Sequence, residues 1–156
     1  MNTERICCFT GHRHISTEVL QSLTPRLRST IRDLAAEGIH TFRAGGAIGF
    51  DTLAALCVLE LREKLGLRLE LVLPCHDQTR GWSARDKDFY NHILGVCDSS
   101  RYISDVYTRD CMLERDRRMV DGSEVCVAYF TGRRGGTSFT VNYALGKGVR
   151  LINLAE

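Results

Sequence analysis

Residues 39–51 read IHTFRAGGAIGFD, and the punctuation of this stretch decides the fold. A short apolar run, Ile39 to Arg43, stops at Ala44-Gly45-Gly46, and after Gly49 a different period begins. Phe50, Leu53, Ala54, Cys57, Leu61 and Leu65 recur roughly every 3.6 residues and halt at Gly66, the pattern of an amphipathic helix with glycine after its last turn. A strand that passes through glycines straight into a helix is one half of a βαβ unit.

Working outward, the same alternation repeats. Short runs at 5–10 (RICCFT), 68–73 (RLELVL), 124–130 (EVCVAYF) and 149–154 (VRLINL), with a weaker one at 100–104, mostly end on Gly or Pro. Such runs suit buried parallel strands. Between them lie helical patterns. Thr24-Pro25 predicts an N-cap with proline at the first helical position, followed by a stripe of Leu27, Ile31, Leu34 and Ala35 and a stop at Gly38. Ser83 with Asp86 has the spacing of a capping box, and Phe89 and Ile93 then share a face. Two more helices are expected over about 109–121 and 137–147. The expectation is an α/β fold, a mainly parallel sheet flanked by helices on both faces in three layers, with right-handed crossovers. No linker or repeat divides the chain, so residues 1–156 are read as a single domain.

Composition narrows the function. The chain has 156 residues, 21 basic and 19 acidic side chains, a net charge of +2 and 44% hydrophobic residues. That balance excludes a disordered chain and gives no electrostatic footprint for sequence-independent nucleic-acid binding. A chain of this length buries roughly two-thirds of its unfolded surface and needs no metal or disulfide staple. No run approaches the roughly 20 apolar residues that span a bilayer, and the opening MNTERICCFT lacks the pattern of a signal peptide. The chain is read as cytoplasmic and not membrane-bound. Its seven cysteines form no CxxC pair and mostly sit in apolar runs, so reduced, buried thiols are expected. Cys75-His76 is the only adjacent Cys–His pair, too little for a metal site.

The chemistry lies in three glycine turns after strands: Thr10-Gly11-His12-Arg13, Ala44 to Gly49, and Arg133-Arg134-Gly135-Gly136-Thr137. In open parallel sheets ligands bind outside the carboxyl ends of the strands, where strand order reverses. Glycine lets backbone N–H groups approach a ligand, and the last two turns lead into helices whose free N–H donors suit phosphate. Arg13, Arg133 and Arg134 are candidates for bidentate phosphate contacts. The alternative is that these glycines serve tight turns alone. None of the turns is GxGxxG or GxxxxGK[ST], so no dinucleotide or Walker A site is expected and no cofactor is assigned.

Two acids stand out. Asp51 sits in the first turn of a helix, either favouring its dipole or, beside the glycine loop, binding a ribose hydroxyl or positioning water. Asp116 falls in the middle of the apolar helical face of Met112, Leu113, Met119 and Val120. A carboxylate there needs a partner. That is a backbone N–H, an arginine such as Arg115, or, the reading favoured here, a ligand hydroxyl or base edge. Most of the Arg109–Arg118 charge reads as a solvated, salt-bridged face. His12 is a candidate phosphate donor or acid–base with no partner visible. Trp82 is undecided between turn and base stacking, whereas Phe89 reads as core. Ser138 and Thr140 have no histidine and carboxylate to form a hydrolase triad.

These motifs, Thr10 to Arg13, Gly45 to Asp51, Arg115 to Asp121 and Gly135-Gly136-Thr137 followed by Asn142-Tyr143-Ala144, resemble those of YpsA-like proteins of the SLOG superfamily, which also holds the DprA/Smf and LOG proteins. They run in family order over nearly the full chain. The resemblance implies a Rossmann-like fold and a pocket for a nucleotide or nucleotide-derived ligand. It implies that the Gly45–Asp51 and Gly135–Thr137 loops and the Arg115–Asp116 pair line that pocket, and that the protein dimerises. Two positions depart from the pattern. LOG-type phosphoribohydrolases carry glutamate three residues after the motif threonine, where Thr140 stands here. YpsA-like relatives usually have asparagine at the position of Asp116. The favoured expectation is a nucleotide-binding sensor using Gly11, His12, Arg13, Gly45, Gly46, Gly49, Asp51, Arg115, Asp116, Gly135, Gly136 and Thr137. The alternatives are a LOG-like nucleoside-monophosphate hydrolase and a DprA-like binder of single-stranded nucleic acid.

Overall fold

The computed structural model describes residues 4–155; residues 1–3 and 156 of the expected domain lie outside the described residues. Six strands alternate with five helices: β1 (Ile6–Gly11), α1 (Thr17–Ala36), β2 (Thr41–Ala44), α2 (Phe50–Leu65), β3 (Arg68–Leu73), α3 (Ala84–Val96), β4 (Ser99–Tyr102), α4 (Cys111–Val120), β5 (Val125–Tyr129), α5 (Gly136–Gly146) and β6 (Arg150–Asn153). The strands form one all-parallel sheet in the order β4-β3-β2-β1-β5-β6.

The two-residue period of a strand sorts the core onto two faces. Cys7, Phe9, Leu71, Leu73, Val125 and Val127 face α1, α2 and α3 and make the larger core with Leu27, Ile31, Val58 and Ile93. Cys8, Val72 and Cys126 point the other way, against Met119 and Val120 of α4 and Ala144 of α5. Both faces of β1 and β5 are therefore buried, which is why these strands read as unbroken apolar runs. All seven cysteines are free thiols, and only Cys97 is partly exposed. Among the described residues no helix is long and apolar enough to cross a membrane.

From β1 the chain steps outward through β2, β3 and β4, then returns to the other side of β1 with β5 and β6. Strand order reverses between β1 and β5, whose carboxyl ends flank the crevice where such sheets place ligands.

Strand positions agree with the sequence reading to within about two residues, while α1 corrects it. The helix starts at Thr17, capped by Ser16, whose hydroxyl accepts from the Val19 N–H at 3.2 Å. Thr24 and Pro25 lie inside it, and the Thr24 hydroxyl donates to the Leu20 carbonyl at 2.7 Å. The buried Leu23, a full turn before Leu27, carries the stripe back through the proline. Pro25 is exposed and supplies no helical N–H, so Pro25→Ala is expected to stabilise the protein by about 1 kcal/mol, the restored bond exceeding the entropy that alanine returns to the unfolded chain. A urea midpoint that stays put or falls contradicts this. In α3 the Ser83 hydroxyl does cap, accepting from the Asp86 N–H at 3.1 Å. There the buried residues are Tyr90 and Ile93, and Phe89 lies half-exposed at the edge of a groove rather than in the core.

Candidate functional site

Outside the carboxyl ends of β1 and β5 lies a cavity of about 350 Å³. Its floor is the end of β1, Phe9 to Arg13. One wall is α4, with Met112, Leu113, Arg115, Asp116 and Met119, and the other is Arg134 to Thr137 at the start of α5. Ala47 and Asp51 close it from the β2–α2 side.

Arg115 organises the centre. It is 5% exposed, on a helix whose charged side otherwise faces water. Its Nε donates to Asp116 Oδ1 at 2.9 Å and its Nη1 donates to the Gly45 carbonyl. The solvated reading of this arginine-rich helix holds for Arg117 and Arg118, which pair with Glu114, but not for Arg115. The Gly45–Gly49 turn is shaped by this centre. A Cβ on Gly45 would lie 2.6 Å from Arg115 Nη1 and 2.9 Å from Asp51 Oδ2. Asp51 turns back into its own loop, where Oδ2 accepts from the Ala47 N–H at 3.4 Å. The first N–H of α2 is also used, donated by Phe50 to the His12 carbonyl at 3.2 Å. The Phe50 N–H at the start of α2 is thus satisfied from within, and Gly45, Gly46 and Gly49 stand behind the cavity wall rather than in it.

The α5 terminus lines the cavity. Its N-cap is Gly135, no side chain caps it, and nothing lies within 4 Å of where a Gly135 Cβ would be. Gly136, Thr137, Arg134 and Arg13 surround it at the cavity. This end presents free N–H donors, the positive pole of a helix and two arginines to the cavity. The other end is acidic. Burial lifts the Asp51 carboxyl to about 6 against the pull of the Arg115 cation, and Asp116 pushes it the same way. Burial raises Asp116 too, opposed by Arg115. The Thr140 hydroxyl donates to the Gly136 carbonyl at 2.9 Å.

The Asp51 shift has a stability consequence. An unfolded aspartate titrates near about 3.9, so between about pH 4 and 6 the native state holds more protons than the unfolded chain. Stability therefore falls as pH rises through that window and levels off above it, by roughly 2–3 kcal/mol. Asp51→Asn should flatten the decline, as read from urea midpoints at intervals from pH 4 to 8. An unchanged decline would assign it to other groups.

His12 has a partner that sequence could not reveal. Its Nε2 accepts from the Thr131 N–H at 2.9 Å and lies 3.0 Å from the Thr131 hydroxyl, tying the β1–α1 loop to the β5–α5 loop. Burial, then the Arg133 cation, lower its pKa, and this nitrogen holds the β5–α5 loop. Of the expected residues, the structure gathers Gly11, His12, Arg13, Asp51, Arg115, Asp116, Gly135, Gly136 and Thr137 around one cavity. Phe9, Thr10 and Arg134 line it too, as do Ala47, Met112, Leu113 and Met119, which the sequence read as loop or apolar face.

Strand order and the cavity at its reversal define a Rossmann-like α/β protein with a switch-point site. The YspA SLOG family (YpsA) matches residues 7–147, and the chain belongs to this family. It is 29% identical over 136 residues to the SPbeta prophage-derived protein YoqJ of Bacillus subtilis (strain 168), covering 78% of this chain and 80% of that one. It is 29% identical over 80 residues to a UPF0398 protein of Bacillus pumilus (strain SAFR-032), covering 51% of this chain and 43% of the relative. Among solved structures, DNA processing protein A of Streptococcus pneumoniae superposes with a TM-score of 0.67 at 16% identity, over 95% of this chain and 49% of that one. DNA processing protein A of Helicobacter pylori, which binds single-stranded DNA, superposes with a TM-score of 0.68 at 18% identity, over 96% of this chain and 64% of that one. At such identities the likeness is one of fold.

Proposed function

We propose that this protein binds a nucleotide or nucleotide-derived metabolite at the β1/β5 crevice and acts as a cytoplasmic, dimeric sensor. The observation that carries the reading is the two-ended cavity. The uncapped α5 terminus with Arg134 and Arg13 suits a phosphate. The Asp116 carboxylate, held by Arg115, suits a hydroxyl or amino group. A sugar phosphate linked to a base offers both chemistries in one molecule.

Native mass spectrometry of freshly purified protein, followed by denaturation, should release such a molecule. Nucleoside monophosphates at 100 times their dissociation constant should stabilise the fold by about 2.7 kcal/mol. Arg134→Glu, at an exposed position, should remove most of that gain. If no nucleotide, nucleoside or sugar phosphate stabilises the protein, the reading fails.

A second reading rests on Asp51, a carboxyl held at about 6 within the cavity and so poised for acid–base work near neutrality. It predicts release of free base and ribose phosphate from a bound nucleotide, and it is lost if every ligand that binds is recovered intact. The single-stranded DNA binding of the Helicobacter pylori protein suggests a third assay, salt-dependent retention of oligonucleotides.

A further inference from the structure

A second cavity, of about 440 Å³, adjoins the first and shares Arg13 and Met112 with it. Both volumes fall within the roughly 300–1,000 Å³ of small-molecule sites. The second cavity lies between the loop that follows β3 and the loop that joins β4 to α4, and it is walled by Trp82 and Tyr107, with Asp77 and Arg80 beside them. The two loops hold each other. The Tyr107 N–H donates to Asp77 Oδ1 at 3.0 Å, the His76 N–H donates to the Asp105 carbonyl at 3.2 Å, and the His76 ring stacks on Tyr102 with centroids 3.6 Å apart.

The two aromatic walls differ. Trp82 is half-buried, set edge-on against Tyr90 with centroids 5.7 Å apart, so its indole is fixed by the core. Tyr107 is 62% exposed. A fixed aromatic and an open one at the mouth of a cavity offer flat apolar faces, which do nothing for a phosphate. They suit a flat heterocycle, because any base has a π-face on which aromatic side chains stack. The carboxylate of Asp77 can accept from a base N–H at the edge of that stack.

We infer that this second cavity receives the heterocyclic base of the nucleotide whose phosphate lies at the α5 terminus, with Trp82 and Tyr107 as stacking walls and Arg13 at the junction. The inference rests on the nucleotide reading of the first cavity and assigns the base its place.

Trp82 is the only tryptophan of the chain, so its fluorescence reports directly on this compartment. The full chain is titrated with the four ribonucleoside monophosphates and with ribose 5-phosphate, following both tryptophan emission and thermal stability. At least one nucleotide should quench Trp82 with the dissociation constant that its thermal stabilisation gives, and ribose 5-phosphate should stabilise without quenching. Tyr107→Ala, at a largely exposed position that folding does not need, should weaken nucleotide binding about tenfold or more and leave ribose 5-phosphate unaffected. Tyr107→Phe should restore it. Nucleotides that stabilise the protein without quenching Trp82, and with no response to Tyr107→Ala, overturn the base compartment and leave the phosphate site standing. If neither nucleotides nor ribose 5-phosphate bind, both readings fall. Quenching by a thymidine homopolymer but by no mononucleotide overturns the inference in favour of a polymer.

Discussion

Arg115→Ala is expected to cost about 3–5 kcal/mol at pH 8 and markedly less at pH 5. In the native protein the guanidinium sits among Asp116, Asp51 and the Gly45 carbonyl, all buried. Removing it strands two carboxylates in a site that already resists their ionisation. At pH 8 both must carry charge without a cation, or hold protons at a cost that grows with pH. At pH 5 Asp51, lifted to about 6 by burial, is largely protonated and that part of the penalty is absent, while the losses of packing and of one donor to Gly45 remain, the Gly45 carbonyl still accepting from Gln78 Nε2 at 3.2 Å. Adding Asp116→Asn should recover part of the loss at pH 8 and little at pH 5. Urea unfolding of wild type, single and double variants at both pH values decides the matter. Equal losses at the two pH values would mean that Arg115 acts by packing and not by charge.

Gly49→Ala is expected to cost about 2–5 kcal/mol, the sum of backbone strain and overpacking. The residue has φ +79°, and a Cβ would lie 2.2 Å from the Arg13 carbonyl oxygen. The obstacle is main chain, so no rotamer change relieves it. Relief requires the β1–α1 loop to move, which breaks the bond from the Phe50 N–H to the His12 carbonyl and shifts Arg13. Gly66, with φ +68° and nothing within 4 Å, isolates the strain alone, and Gly66→Ala should cost only about 1 kcal/mol. If the two alanines cost the same, crowding by the Arg13 carbonyl plays no part, and ligand affinity should then survive Gly49→Ala as well.

The fold was legible because the central strands are buried on both faces and most of the strand runs end near a glycine or proline, whereas β4 and β6 at the edges do neither. Pro25 misled because a proline inside a helix and one at its start look alike locally; the signal that separates them, buried Leu23 one turn earlier, is a single residue. The site was legible where chemistry and spacing coincide. Asp116 in the middle of an apolar face pointed inward, and the structure places it there with Arg115. The glycines were legible only as a group. Sequence cannot distinguish a glycine that admits a ligand from one that admits the protein's own Arg115 or Arg13, since both need the same missing Cβ. The His12–Thr131 contact joins residues 119 positions apart and follows only from the β1–β5 pairing. The place of β5 beside β1 is itself a tertiary outcome that no local pattern encodes.

That pairing sets an order of events during synthesis. Strand β1 is made first, yet the flank that β5 will cover stays open until residues 125–129 have appeared. Before then the strand is hydrogen-bonded on the β2 side alone, with Cys8 and Phe9 awaiting their neighbours Cys126 and Val127. Pairings between segments so far apart form slowly, and an unpaired apolar edge is prone to wrong partners meanwhile. The crevice draws on Arg13, Asp51, Asp116 and Gly135, spread over most of the chain, so it comes into being only when the last third is in place. A molecule that binds there recognises only copies in which β5 has joined β1 and holds that seam closed.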